Sequence, residues 1–274
     1  MTKCQVLDRL PGIVRVVCAA LVGAGMTLAA GCGSTDDTTP GSSATSSGKG
    51  GRTVVVFAAA SLTETFTALG QTFQTAHPGV TVKFNFGGSS ALAQQITQGA
   101  PADVFAAASP ATMKTVTDAD LAAGQPQTFV RNRLEIAVPP DNPGNVTGLR
   151  DLANPKVKVV LCAPQVPCGG AAQKALGAAG LTVKPVSQEQ DVKAALTKIQ
   201  LGEADAALVY RTDVNAAAGK AKGIDFPEAA KAINDYPIAT LAKAPQPALA
   251  TQFVQLILSD QGKSALTQAG FESP

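Results

Sequence analysis

From residue 54 onward the chain alternates short apolar runs with amphipathic segments, and few architectures accept that pattern. Val54-Val55-Val56-Phe57-Ala58-Ala59 is a continuous β-prone run, and Phe66, Leu69 and Phe73 follow it at helical spacing. Together they predict a buried strand feeding an amphipathic helix. After the turn His77-Pro78-Gly79, a second run over 80–86 passes through Gly87-Gly88 into a helix carrying Leu92 and Ile96, and residues 103–107 form a third strand. Such alternation implies a largely parallel sheet covered by helices, with ligands at the carboxyl ends of the strands. A second set begins near 134–138. It includes strands at 157–161 and 206–210 and helices at 171–179 and 192–200. The expectation is an α/β protein of two similar lobes, for which 274 residues with 45% hydrophobic content suffice. Residues 234–238 read as a crossing back to the first set. Residues 248–269 read as one helix with Phe253, Leu256 and Ile257 on one face.

The first 52 residues have a different character. Lys3, Arg9 and Arg15 precede an apolar run over 16–30 that is too short to span a bilayer comfortably and is closed by Leu28-Ala29-Ala30-Gly31-Cys32. That is the pattern of a secretory signal peptide. Small residues followed at once by Cys resemble a bacterial lipobox, whose Cys becomes the lipidated first residue of the mature protein. On this reading residues 1–31 are a lipoprotein signal peptide, and residues 32–52 are the lipidated Cys32 with its linker. The linker is almost wholly Gly, Ser, Thr, Pro and Asp, a composition expected to act as a flexible tether. The mature protein is then extracytoplasmic and anchored to the cell membrane.

Charge and chemistry narrow the function. Lys and Arg number 22 against 20 Asp and Glu; residues 1–31 hold three and one of these, so removing them leaves 19 of each. A neutral chain without a basic cluster has no electrostatic footprint for nucleic acid. The only histidine is His77, in a turn, so serine hydrolysis has no base, and no metal-ligand cluster stands out. An enzyme is not expected. Two strand-to-helix junctions are more promising. Ser61, with Glu64 three residues on, matches the capping box S-x-x-E. Ser89 occupies the corresponding place after Gly87 and Gly88. Should the two junctions converge, their hydroxyls and free backbone N–H groups would form an anion site. Tyr210, at a strand end, has an ordinary reading as a core residue.

Three motifs in order, Phe57-Ala58-Ala59-Ala60-Ser61-Leu62-Thr63, Phe86-Gly87-Gly88-Ser89-Ser90-Ala91-Leu92-Ala93 and Gln98-Gly99-Ala100-Pro101-Ala102-Asp103-Val104-Phe105, resemble the periplasmic molybdate-binding proteins of ABC importers. Val166-Pro167-Cys168-Gly169, Asp191-Val192-Lys193-Ala194-Ala195-Leu196 and Ala207-Leu208-Val209-Tyr210 extend the likeness, which runs from about residue 53 to 271. The resemblance implies a type II periplasmic binding protein: two α/β lobes, two hinge strands and a ligand cleft between them. Lobe one would comprise 53–131 with 238–274, and lobe two 132–237 with the hinges near 131–134 and 235–238. It also implies oxyanion contacts at Ser61, Ser89, Cys168, Val192 and Tyr210, with Ser61, Ser89 and Tyr210 donating through hydroxyls and Cys168 and Val192 through backbone N–H. Cys168 departs from the family, which usually has Ala there.

A donor-only set suits molybdate, an unprotonated dianion, and tungstate with it. Phosphate carries a proton that needs an acceptor. Sulfate is also unprotonated and differs in size. A ferric-ion binder of the same broad fold would need several phenolates, and this chain has two tyrosines, Tyr210 and Tyr236. No cofactor is implied, and molybdenum enters only as the oxyanion ligand. The expected partners are the membrane through its lipid anchor and an ABC permease, for a protein expected to be monomeric. Cys4 and Cys18 go with the leader and Cys32 to lipid, which leaves Cys162 and Cys168 to pair as a disulfide in an oxidising compartment.

Overall fold

A computed structural model describes residues 52–274. The signal peptide, Cys32 and nearly all of the linker expected from the sequence lie outside the described residues. The apolar run becomes β1 (Arg52–Ala59). Val54, Val56 and Ala58 bury themselves on one face of the sheet and Phe57 on the other, so both faces are covered and the run is continuous rather than alternating. A 3-10 turn at Ala60–Leu62 leads into α1 (Thr63–Ala76), β2 (Val80–Gly87), α2 (Ser89–Thr97), β3 (Val104–Ala106), α3 (Pro110–Thr117) and β4 (Gln127–Asn132). Only Arg133 then separates β4 from β5 (Leu134–Val138), which belongs to a second sheet. That sheet is completed along β6 (Val159–Cys162), α4 (Pro167–Ala178), β7 (Ser187–Glu189), α5 (Val192–Gln200), β8 (Ala206–Tyr210), α6 (Arg211–Ala216) and β9 (Lys222–Ile224). The chain re-enters the first sheet as β10 (Asn234–Thr240) and finishes with α7 (Pro247–Leu258) and α8 (Asp260–Gln268).

Both sheets have five strands and one shared plan. Their orders are β2-β1-β3-β10-β4 and β7-β6-β8-β5-β9. In each, three strands are parallel, and the fourth in line is antiparallel to both its neighbours. In each, too, that antiparallel strand is the one that arrives from the other sheet. β1, β2 and β3 therefore correspond to β6, β7 and β8. The carboxyl edges of these parallel strands feed α1, α2 and α3 in one case and α4, α5 and α6 in the other. The first sheet takes β10 from Asn234 onward, so the return crossing lies just before that residue.

Two helical expectations need correction. The segment read as one helix over 248–269 is two helices broken at Ser259, whose backbone is extended and whose Oγ accepts from the N–H of Gly262 at 3.2 Å to start α8. The corner also needs glycine, because a Cβ at Gly262 would lie 2.3 Å from the carbonyl oxygen of Ile257. The helix expected at 171–179 begins at Pro167, where the fixed φ of proline suits the first helical position. Cys168 and Gly169 thereby fall in its first turn.

The first lobe's core gathers round Phe253 of α7, which is fully buried and meets Phe66, Phe73 and Phe84 at ring-centre distances of 6.1, 5.5 and 6.2 Å. These rings pin the C-terminal helices to α1 and β2. Phe253→Ala should cost about 3–5 kcal/mol of unfolding free energy, through lost transfer energy plus the cavity left behind. Urea denaturation of the purified protein would check this by a lower midpoint at unchanged slope.

Candidate functional site

The carboxyl edges of the two sheets face one another, and the strand-to-helix junctions on either side close around a cavity of ≈ 20 Å³. Ser61 follows β1, Ser89 follows β2, Cys168 follows β6, Val192 follows β7 and Tyr210 ends β8. All five line this one cavity, together with Gly87, Gly88 and Asp191. Sites for drug-sized ligands start at about 300 Å³, so the space suits only a very small ligand.

Its walls are rich in hydrogen-bond donors. The first N–H groups of a helix have no intrahelical acceptor. In α2 the first backbone bond runs from Leu92 to Gly88, in α4 from Gly170 to Val166, and in α5 from Ala195 to Asp191. The N–H groups of Ser89, Cys168 and Val192 precede these bonds. Each helix also directs the positive end of its dipole at the cavity. Ser89 Oγ accepts from the N–H of Ala108 at 3.0 Å, Ser61 Oγ lies 2.9 Å from Tyr236 Oη, and Tyr210 Oη lies 2.7 Å from the amide nitrogen of Asn234. Burial pushes both tyrosine hydroxyls well above their ordinary pKa, so they stay protonated at neutral pH. Protonated phenols can donate hydrogen bonds. Among the described residues, no group of three or more His, Cys, Asp or Glu is placed to hold a metal ion.

The capping box read at Ser61 does not form. Ser61 lies inside the 3-10 turn, Leu62 is the cap of α1, and no side chain caps that helix. The hydroxyl has turned to Tyr236, 175 residues away, a partner that no local pattern could reveal. Cys162 and Cys168 are joined by a disulfide from the end of β6 to the first turn of α4. It lies beside the backbone N–H that Cys168 offers to the cavity.

One carboxylate lines the cavity. Asp191 caps α5, accepting from the N–H of Ala194 at 2.9 Å. Another, Asp213, is fully buried just behind Tyr210, whose N–H it accepts at 3.2 Å. Burial raises its pKa to about 6, against the opposing pull of Lys193. Lys193 Nζ lies 3.3 Å from Asp213 Oδ1 and 2.8 Å from Glu64 Oε1, so it ties α5 of one sheet to α1 of the other. Burial disfavours its charge, but the two carboxylates outweigh burial and hold its pKa above the ordinary value. Beside the cavity the two sides also touch through Ser90 and Gly88. Ser90 Oγ donates to the carbonyl of Gln165 at 2.7 Å, and a Cβ on Gly88 would lie 2.2 Å from the carbonyl oxygen of Gln190. Sequence reasoning saw Gly88 only as permitting close approach. It missed Asn132, Asn234, Thr212 and Asp213, whose one visible signal is polarity within or beside apolar strands.

Comparison with known proteins agrees with this geometry. Residues 54–272 match the family described as bacterial extracellular solute-binding protein. Over 243 residues the chain is 45% identical to the molybdate-binding protein ModA of Mycobacterium tuberculosis H37Rv, covering 89% of this chain and 92% of that one. The periplasmic molybdate-binding protein of Azotobacter vinelandii superposes with a TM-score of 0.72 at 23% identity, over 81% of this chain and 99% of the other. The sulfate-binding protein SubI of M. tuberculosis H37Rv superposes with 0.69 at 19% identity, over 81% and 87%. At such identities the two superpositions show the fold alone.

Two outcomes follow from the contacts across the cavity. Gly88→Ala should leave the ligand-free melting temperature nearly unchanged while weakening ligand binding about tenfold or more, because the new methyl holds the junctions apart. Calorimetric titration beside a thermal melt would test it. The second concerns pH. Asp213 has a folded pKa near 6 and an ordinary value of 3.8, so the stability it contributes is full below about 3.8 and is lost as pH rises through about 6. Lys193→Met removes its counter-charge and carries that loss further upward. The variant's deficit should therefore be larger at pH 8, on the order of 2 kcal/mol, than at pH 5, as denaturant melts at the two pH values would show.

Proposed function

We infer that this chain, which belongs to the bacterial extracellular solute-binding protein family, captures molybdate outside the cytoplasm and delivers it to the permease of an ABC importer. The observation that carries the reading is the convergence of Ser61, Ser89, Cys168, Val192 and Tyr210 on one small cavity, from matching junctions of two sheets. The 45% identity to a molybdate-binding protein supports it. Three hydroxyls and the N–H groups of three helix starts offer donors on several sides. An unprotonated tetrahedral dianion presents four acceptor oxygens and nothing to donate, so it matches such a set. The protein binds this ligand without transforming it.

The same reading extends to tungstate, which has the same charge and shape. Lobe one, 53–131 with 238–274, and lobe two, 132–237, would part about the two crossings between the sheets. The donors lie on both lobes, so a single small anion can meet all of them only when the lobes are shut. In this reading the protein is a monomer held at the outer face of the membrane by lipid on Cys32.

Thermal melts with an anion panel test the assignment. Molybdate and tungstate at one hundred times the dissociation constant should each stabilise the native state by about 2.7 kcal/mol, and sulfate and phosphate at equal concentration should do far less. Equal stabilisation by sulfate would overturn the choice of ligand. Ser61→Ala and Tyr210→Phe should each cost roughly 1.5–3 kcal/mol of binding, about one to two decades in affinity. Wild-type affinity in both variants would remove these residues from the site.

A further inference from the structure

Glu64 takes no part in the capping box that its spacing from Ser61 suggests, which leaves its carboxylate free to reach outward. From the first turn of α1 it meets Lys193 Nζ of α5, at 2.8 Å through one oxygen and 3.0 Å through the other. Lys193 is held from its own side as well, 3.3 Å from Asp213 Oδ1 of α6. The ammonium thus lies between two carboxylates, one on each side of the cleft.

The three residues stand beside the cavity wall. Glu64 follows cavity-lining Ser61 by one turn, Lys193 is next to Val192, and Asp213 comes one turn after Tyr210. α5 also packs on the 3-10 turn that carries Ser61. The strands behind the Glu64–Lys193 pair are not crossing strands: within their sheets β1 is two places from β10, and β7 is three places from β5. A rotation about the crossings therefore moves α1 and α5 apart. It breaks the bond to Glu64 and spares the bond to Asp213, because Lys193 and Asp213 belong to the same lobe.

An exposed ion pair ordinarily contributes little, since two long side chains must be ordered to make it. Here one of the two is already held. Asp213 is fully buried and has Lys193 as its counter-charge, so the ammonium stays in place whether the cleft is open or shut. Only Glu64, which is half exposed, has to be ordered on closing. The pair forms after an anion has entered, so it acts on release and not on encounter.

We propose that Glu64 and Lys193 form a clasp across the rim of the cleft, positioning residues that hold the lobes shut on the bound anion and set the rate of its release. The proposal rests on the oxyanion reading and the lobe closure above, and it adds the residues that time the release. Bare charge would have the opposite effect. One ammonium and two carboxylates leave one net negative charge at the rim, so without a clasp, neutralising Glu64 would tighten the hold on an anion and slow its escape.

The test follows release of radiolabelled molybdate into excess unlabelled molybdate at pH 7.5, with dissociation constants from calorimetric titration. It compares wild type, Glu64→Gln, Lys193→Met and the double variant. Glu64→Gln should release about two- to fivefold faster, with the association rate not lowered and the ligand-free melting temperature nearly unchanged. In the Lys193→Met background the same change should add no acceleration, because its partner is gone. Unchanged or slower release from Glu64→Gln would overturn the proposal, as would an equal acceleration with and without Lys193. Should Lys193→Met fail to fold, salt takes the place of the double variant. Salt screens a half-exposed pair, so it should speed release from wild type more than from Glu64→Gln, and an equal response would remove the clasp. Failure of the wild type to bind molybdate would instead overturn the oxyanion reading itself, and the proposal with it.

Discussion

Backbone N–H groups left unpaired at the start of a helix are the material from which this cleft is made. Two parallel strands cannot be joined by a tight turn, so each needs a crossover, and a helix supplies it. The first turn of that helix then stands at the carboxyl edge of the strand with donors to spare. The chain applies this rule in two sheets of identical plan, and each sheet accepts one antiparallel strand from the other. Two rows of donors are thus built separately and turned to face each other. Cys168 and Val192 each bring a backbone N–H to the cavity wall, a group that any residue but proline would supply.

Donors held by a backbone must be held well, and the lobe-two side shows how. A Cβ at Gly169 would lie 1.9 Å from the carbonyl oxygen of Ala163, so the first turn of α4 presses directly on the loop that precedes it. Pro167 fixes φ at the helix start, and the disulfide ties Cys168 back to the end of β6. Closing so short a loop limits the unfolded chain by roughly 2 kcal/mol at most. It also holds the first turn of α4 in place beside the cavity that Cys168 lines.

The sequence revealed the elements that bury both faces or one stripe. β1, β6 and β8 are continuous apolar runs, α1 and α5 have helical spacing, and the three motifs around Ser61, Ser89 and Gly99 carry a family resemblance. The rest lacked a periodic signal. β7, β9 and α6 are three to six residues long, too short for any period to register. Ser259 interrupts an apolar pattern that runs through α7 into α8, so one helix was the natural reading. Ser61 satisfies a capping pattern that the backbone does not use, since its partner Tyr236 is distant in sequence. The amides of Asn132 and Asn234 were invisible for the same reason: the constraint on them is tertiary. Of the five positions that line the cavity, spacing singled out Ser61 and Ser89 and left open whether their junctions met, and the others were marked as site residues only through the resemblance.

Among the described residues, the cavity has no cation in its wall. Asp191 is the one charged residue lining it, and Lys193, close by, is engaged by Glu64 and Asp213. For a site that takes a dianion this is economical physics. A buried Lys or Arg without a partner would cost several kcal/mol whenever the ligand is gone. Helix ends avoid that cost, for each carries roughly half a positive charge already balanced within its own helix. The starts of α2, α4 and α5 together present roughly +1.5, set against the one carboxylate in the same wall, Asp191, which caps α5. That field exists only while the helices converge. α2 belongs to the first sheet's lobe and α4 and α5 to the second's, so parting the lobes divides the charge between two surfaces and admits water to screen each. Strong capture and ready release can then follow from one geometry: the attraction is assembled by closing and dismantled by opening, and no residue has to change its protonation for the ligand to leave.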